Sequence, residues 1–327
     1  MKTFQFLLSI SFGLIICSCS KNPSLVTVEN AAIIPVEIST TKYKTKNVVI
    51  VVIDGPRYSE TWGDSIHQYI PHLSNDLSHT GVISTEFYTN GQTYTNPGHV
   101  AITTGVYQNI NNNGYEFPEN PSIFQYWLKK ANKPKTAAWV IASKPKLEIL
   151  GDCINPIWSG ANTPHTSCGI NGRFSGYRAD SATLIETFNV MTEHKPNLIL
   201  INFREPDYSG HLNNWNNYLQ GIIDTDEYVY QINNFIKNDP NYSGSTTIFL
   251  TNDHGRHIDG LSGGFVNHGD NCNGCRHLNF YASGPDFKSD TIFSVSRNLV
   301  DIPATIAELL EFNMPSGSGE VMTELFK

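Results

Sequence analysis

The stretch NGQTYTNPGHVAITTG, residues 90–105, sets two hydroxyl side chains, Thr93 and Thr95, against an Asn-Pro-Gly-His turn. Pro97 has no N–H to leave unpaired and suits the first turn of a helix, Asn96 is a favoured N-cap and Gly105 a natural C-cap. A helix is therefore predicted to start at Pro97 and stop at Gly105. Thr95 would then lie just ahead of a helix N-terminus, where free N–H groups and the helix dipole favour an alkoxide or a phosphoryl oxygen. Carboxylates and imidazoles recur in four other short stretches: Asp54 in VVID, Asp207 and His211 in INFREPDYSGH, Asp253 and His254 in FLTNDHG, and His268 in GFVNHGDN. Three Asp, three His and a hydroxyl suit two Zn²⁺ ions with open positions for a substrate. Singly, each has a structural explanation such as a helix cap or a surface loop, so their joint placement must carry the inference.

That placement follows from the elements. NVVIVVID is an uninterrupted β-branched run of the kind buried on both faces of a parallel sheet. Similar runs recur at 136–143, 197–203, 246–252 and 278–283, separated by helical patterns in IPHLSNDLSHTG, NPSIFQYWLKKAN, NYLQGIIDTDEYVYQINNFIKN and DIPATIAELLEF. Strands alternating with helices predict a three-layer αβα sandwich around a mostly parallel central sheet. In such sheets ligands bind beyond the carboxyl ends of the strands, which is where Asp54, Asp207, His211, Asp253 and His254 fall, with His268 just ahead of the last strand. Residues 144–180, rich in Gly, Pro, Ser and Asn, read as a long irregular insertion.

The chain opens MKTFQFLLSISFGLIICSCSKN: one lysine, an apolar run too short to span a bilayer, then small residues and cysteines. This predicts a secretory signal over 1–18, and ICSC resembles the lipobox of bacterial lipoproteins, with Cys19 as the lipidated first residue; Cys17 is a poorer choice because Ile16 precedes it. Residues 19–46 would form a tether and lead-in, and 47–327 one catalytic domain. An exported protein anchored in the bacterial envelope is the expectation. The formal charge of −8 provides no basic footprint for nucleic acid. Four cysteines remain in the mature chain, and an even number in an exported protein suggests disulfides. Cys153 with Cys168 would close a loop of about 15 residues, for which chain entropy suggests roughly 3 kcal/mol. Cys272 would pair with Cys275, although a Cys-Asn-Gly-Cys turn can also present free thiols or cross-pair with the insertion.

The stretches VVIDGPR, PHLSNDLSHTGV, TYTNPGHVAITTGVY, EPDYSGH, TNDHG, NHGDNCNGCRHLNFYASGPDFK and DIPATIAELL resemble, in order and over nearly the whole mature chain, the alkaline phosphatase superfamily, most closely its nucleotide pyrophosphatase/phosphodiesterase branch. The resemblance implies an alkaline phosphatase-like fold and a phosphoric-ester hydrolase acting on a small phosphorylated substrate. It implies one zinc on Asp54, Asp253 and His254 with Thr95 as nucleophile, and a second zinc on Asp207, His211 and His268. A covalent phospho-threonine would form and be hydrolysed. The backbone N–H of Asn96 and an amide of the NINNN run, with Asn112 as the choice and Asn113 beside it, would hold the phosphoryl oxygens. Tyr208 and His257 are candidate substrate contacts, Tyr208 as a ring from the opposite wall or as packing against the insertion, His257 at the pocket rim. Thr93 and His277 read as structural.

Three departures matter. Asn96 stands where nucleotide-hydrolysing relatives carry an aromatic that stacks on a base. The sulfatase pattern, Cys or Ser followed by X-Pro-X-Arg, is absent, with His99 in the place of Arg. The TNP around the nucleophile also resembles phosphonoacetate hydrolases, leaving a phosphonate hydrolase open as an alternative, along with a phosphotransferase. An inactive surface-binding lipoprotein is the alternative of another class; pseudo-enzymes tend to lose functional positions, and here all seven are filled.

Overall fold

The computed structural model describes residues 41–327. The expected signal segment, Cys19 and residues 20–40 of the tether lie outside the described residues. The strands are β1 (Asn47–Asp54), β2 (Val82–Tyr88), β3 (Ala138–Ala142), β4 (His165–Cys168), β5 (Leu198–Pro206), β6 (Thr246–Asn252), β7 (His277–Ser283), β8 (Thr291–Phe293) and β9 (Arg297–Asn298). The helices are α1 (Thr95–Thr104), α2 (Ile123–Ala131), α3 (Asp180–Glu193), α4 (Asp207–His211), α5 (Trp215–Asn238), α6 (Asn273–Arg276) and α7 (Asp301–Leu309). One sheet runs β4-β3-β5-β1-β6-β7-β2-β8, with β9 also on β2. Among the described strands only β7 opposes the rest, pairing antiparallel with β6 and β2.

Successive side chains of a strand face opposite sides of the sheet, and β1 supplies both cores. Val48, Ile50 and Val52 join α1 (Val100, Ile102), α2 (Phe124, Trp127) and α7 (Ile302, Ile306) on one face. Val49, Val51 and Ile53 join α3 (Leu184, Met191), α5 (Ile222, Val229, Ile232) and Leu73 and Leu77 on the other. The result is the mixed three-layer α/β architecture that the alternating pattern predicted.

Several local expectations are corrected. α1 begins at Thr95, with Tyr94 as its extended N-cap residue, so Asn96 and Pro97 lie inside the first turn; Gly105 caps it with φ 71° as expected. The supposed helix over IPHLSNDLSHTG is a short π-turn, Leu73–Leu77, followed by a 3₁₀ turn, Ser78–Thr80. The insertion is only partly irregular: Pro145–Gly151 forms 3₁₀ turns and β4 adds a parallel edge strand to β3. The sequence reading placed no strand at β2, where the register shifts between Ser84 and Phe87 and breaks the two-residue period. It placed no helix at α3, whose Ser, Thr and Asn content blurs the apolar stripe. Cys153, Cys168, Cys272 and Cys275 are all free, overturning both disulfides. Cys168 Sγ faces the Val140 carbonyl at 3.8 Å, and Cys272 and Cys275 face His257.

Candidate active site

The carboxyl edge of the parallel strands gathers one group after another. β1 ends on Asp54, β5 runs into Asp207 at the start of α4, β6 runs into Asp253 and His254, and β3 is followed by Ser143 and Lys144. The reversed direction of β7 returns the preceding loop, with His268, to the same edge. Gly98 lets the first turn of α1 lie against the Asp253 backbone: a Cβ there would sit 2.4 Å from the Asp253 carbonyl oxygen. Thr95, Asp54, Asp207, Asp253 and His254 are all buried.

Two donor sets emerge. His254 Nε2 is 3.5 Å from both Asp54 Oδ1 and Asp253 Oδ2. These three atoms are buried without a hydrogen-bond partner. Asp54 Oδ1 does lie 2.8 Å from Lys144 Nζ, an ion pair lacking the geometry of a hydrogen bond. Buried polar atoms are rarely left unpaired, and carboxylates gathered round an imidazole have the chemistry of a divalent-metal site; the donor atoms that all lie within 4.8 Å of one another here are those of Asp54, Asp207 and His254, with Asp253 Oδ2 beside them on His254. The His254 Nδ1–H donates to the Gly255 carbonyl at 2.9 Å, so Nε2 is the atom turned to the carboxylates, and Asp253 and Asp54 raise the imidazole's pKa despite its burial. The second set is Asp207, His211 and His268, whose donor atoms lie within 4.8 Å of one another. The His268 Nδ1–H donates to the Thr93 carbonyl at 2.8 Å, and its Nε2 lies 3.0 Å from His211 Nε2 and 3.4 Å from Asp207 Oδ1. Here two cations stand close by: Lys144 Nζ at 2.6 Å from Asp207 Oδ2, and the buried Arg256 guanidinium on Asp207 Oδ1. A metal at this second set would share Asp207 with them.

Electrostatics follows from these contacts. Burial alone would raise the Asp207 carboxyl, but Lys144, His268 and Arg256 hold it well below the usual carboxylate range. Burial acts the same way on Asp253, and His254 and His99 outweigh it, bringing it to about 2. His268 is pushed down to about 4 by burial and by the neighbouring His254, so its imidazole is neutral at neutral pH, the form that binds metal. Despite burial, Asp207 and Asp54 keep the Lys144 ammonium charged.

The sequence reading missed Lys144, Arg256 and His99. Lys144 Nζ lies 3.3 Å from Thr95 Oγ1 as well as on both carboxylates. It follows β3 as Asp54 ends β1, so the same strand-end argument would have found it. His99 packs its Nδ1 3.3 Å from Asp253 Oδ2.

The remaining expectations divide. The Asn96 N–H donates to Asn112 Oδ1 at 2.9 Å, which places Asn112 beside Thr95. The Asn96 side chain is buried and donates to the Asn111 carbonyl. Asn113 is exposed and its Oδ1 accepts from the Tyr115 N–H within its own turn. Tyr208 packs edge-on against Tyr177 of the insertion and beneath Arg204. His257 is corrected: it is buried among Cys272, Cys275 and Asp270, not at the rim. Thr93 Oγ1 donates to the Asp270 carbonyl and His277 stacks on Tyr58.

Solved structures share this architecture. A phosphonate monoester hydrolase from Silicibacter pomeroyi superposes with a TM-score of 0.64 at 12% identity, over 85% of this chain and 76% of that one. Murine ectonucleotide pyrophosphatase/phosphodiesterase 5 gives 0.61 at 15%, over 86% and 100%. An alkaline phosphatase superfamily protein from Vibrio parahaemolyticus gives 0.60 at 15%, over 88% and 72%. The fold is thus that of the alkaline phosphatase superfamily. Within it, the chain belongs to the type I phosphodiesterase/nucleotide pyrophosphatase family, whose profile matches residues 48–257. The protein is accordingly a metal-dependent hydrolase of phosphate esters. Among curated proteins, none matches it.

Proposed function

We propose that the protein is a two-zinc phosphoric-ester hydrolase with Thr95 as nucleophile. The observation that carries this reading is the trio of buried, unpartnered atoms, Asp54 Oδ1, Asp253 Oδ2 and His254 Nε2, on the edge where Lys144 joins Asp54 to Thr95 Oγ1. Asp54, Asp253 and His254 would hold one ion, and Asp207, His211 and His268 the other. When bound, the metals lower the hydroxyl pKa and neutralise charge on the attacking and leaving oxygens. Thr95 Oγ attacks phosphorus, the ester oxygen departs, and the resulting phospho-threonine is cleaved by water, which restores the hydroxyl and releases the phosphorylated product. Lys144 supports the ionised Thr95 oxygen. The Asn96 N–H and the Asn112 amide orient the phosphoryl oxygens once the substrate displaces their mutual hydrogen bond. A groove of about 480 Å³ lined by Gln92, Tyr94, Asn111, Asn112 and Glu116 adjoins this point and would receive the leaving group. With the Asn96 side chain turned inward, base stacking does not come from that position, so small aryl esters should compete well with nucleotides.

The test is kcat/KM for an aryl phosphate monoester, an aryl diester, an aryl sulfate and phosphonoacetate on the zinc-loaded protein and on Thr95→Ala. Phosphate-ester turnover that drops by several orders of magnitude in the variant, with metal still bound, is expected; undiminished turnover would sink the mechanism. The N-terminal apolar run and ICSC motif support export and anchoring through Cys19, read out by fatty-acid labelling that disappears in Cys19→Ala.

A further inference from the structure

Apart from the two donor sets at the sheet edge, a third cluster lies in the loop between β6 and β7. His257 Nδ1 is 3.4 Å from Cys272 Sγ, 3.4 Å from Cys275 Sγ and 3.2 Å from Asp270 Oδ1. The four donor atoms all fall within 4.8 Å of one another, and none of these residues belongs to the other two sets. His257 and Cys275 are buried, Cys272 is half-buried and Asp270 is exposed.

Asp270 Oδ1 also accepts from the Cys272 N–H at 2.9 Å, but hydrogen bonding does not account for two sulfurs and a carboxylate gathered on one ring nitrogen. An imidazole nitrogen has one directional site, either an N–H or a lone pair, and cannot satisfy two sulfurs and a carboxylate together. A tetrahedral zinc with bonds of about 2.3 Å to sulfur and 2.0–2.1 Å to nitrogen or oxygen separates its sulfur and nitrogen ligands by about 3.5 Å and its nitrogen and oxygen ligands by about 3.3 Å. The observed separations match both. We propose that His257, Asp270, Cys272 and Cys275 form a closed structural site for a thiolate-binding divalent metal, zinc by donor type, in addition to the catalytic metals.

The backbone is folded to bring these residues together. The Gly255 N–H donates to the Cys275 carbonyl at 2.8 Å, and a Cβ on Gly255 would lie 2.0 Å from the Gly274 carbonyl oxygen, so both segments approach as closely as glycine permits. The metal would staple the 267–275 loop to the segment that carries His254. That loop also bears His268, and its position is shared with Thr93: Thr93 Oγ1 donates to the Asp270 carbonyl while the Thr93 carbonyl accepts from His268 Nδ1. The staple thus holds His268 against Asp207 without touching a substrate.

Cobalt substitution of the full chain separates this site from the catalytic ones, which offer oxygen and nitrogen ligands only. Co²⁺-loaded wild type should show a thiolate-to-metal charge-transfer band in the near ultraviolet. The band should vanish in Cys272→Ser/Cys275→Ser, with metal content falling by about one ion per chain, and should persist in Thr95→Ala even if Thr95 proves not to be the nucleophile. Cobalt-bound wild-type protein without that band, or a Cys272–Cys275 disulfide in a non-reducing peptide map of the metal-loaded protein, would overturn the proposal. Because the decisive spectrum is that of wild type, poor folding of the double variant leaves the test intact.

Discussion

At the scale of single residues, Lys144 is the group that most changes the picture of the site. Its ammonium is buried between Asp54 and Asp207 and within reach of the Thr95 hydroxyl, so it stands in for positive charge that a carboxylate cluster requires. Removing one partner of a buried ion pair typically costs about 3–5 kcal/mol because the other is left uncompensated. Lys144→Ala should therefore destabilise the metal-free protein by about that amount, and the zinc-loaded protein by distinctly less, since bound cations then face the same carboxylates. Chemical unfolding in chelator and in zinc measures both; equal losses would show that Lys144 does not share its role with the metals. Lys144→Ala should also slow turnover at saturating substrate, because the proposed Thr95 alkoxide would lose a neighbouring cation.

At the scale of elements, α1 delivers Thr95 and depends on Gly98. An alanine there must push the helix from the Asp253 carbonyl, which its Cβ would approach to 2.4 Å. A displacement of roughly 1 Å at a catalytic centre can cost ~10²-fold. Gly98→Ala should lose about that factor in kcat with far-ultraviolet circular dichroism unchanged, and wild-type kcat would show that the helix accommodates the methyl. A second junction joins α5 to the segment after β1: Asp226 accepts from the His72 and Leu73 N–H groups. Burial pushes its carboxyl up to about 6, against about 3.9 in an unfolded chain. The folded state then binds this proton more tightly, so the stability it contributes is complete below about pH 4 and is lost as pH rises through 6. Relative to Asp226→Asn, wild type should lose about 2–3 kcal/mol between pH 4 and pH 7 in urea unfolding. A constant difference across that window would mean that Asp226 titrates normally.

For the molecule as a whole, metal and fold are linked. An ion that binds only the native state at 100 times its dissociation constant adds about 2.7 kcal/mol. Chelation should therefore lower Tm and abolish turnover together, and Zn²⁺ should restore both; retained turnover without metal would contradict the assignment. Much of this organisation is legible in one dimension. The β-branched run of β1 and the helical patterns of α2, α5 and α7 reveal the layers, because burial of both sheet faces forces uninterrupted apolar strands. Asp54, Asp207, Asp253 and His254 could be found because parallel strands bring their carboxyl ends to one edge. What the sequence did not reveal depends on contacts distant along the chain. The reversal of β7, the edge pairing of β4 and the burial of His257 among Cys272 and Cys275 arise from packing, which local pattern does not encode. An even cysteine number in a chain expected to be exported argued for disulfides, whereas the folded loop turns Cys272 and Cys275 to an imidazole. Residue types and order determined the family, the layers and which groups meet at the sheet edge; tertiary structure alone decided which cation faces which carboxylate, because buried charges are settled by three-dimensional neighbours.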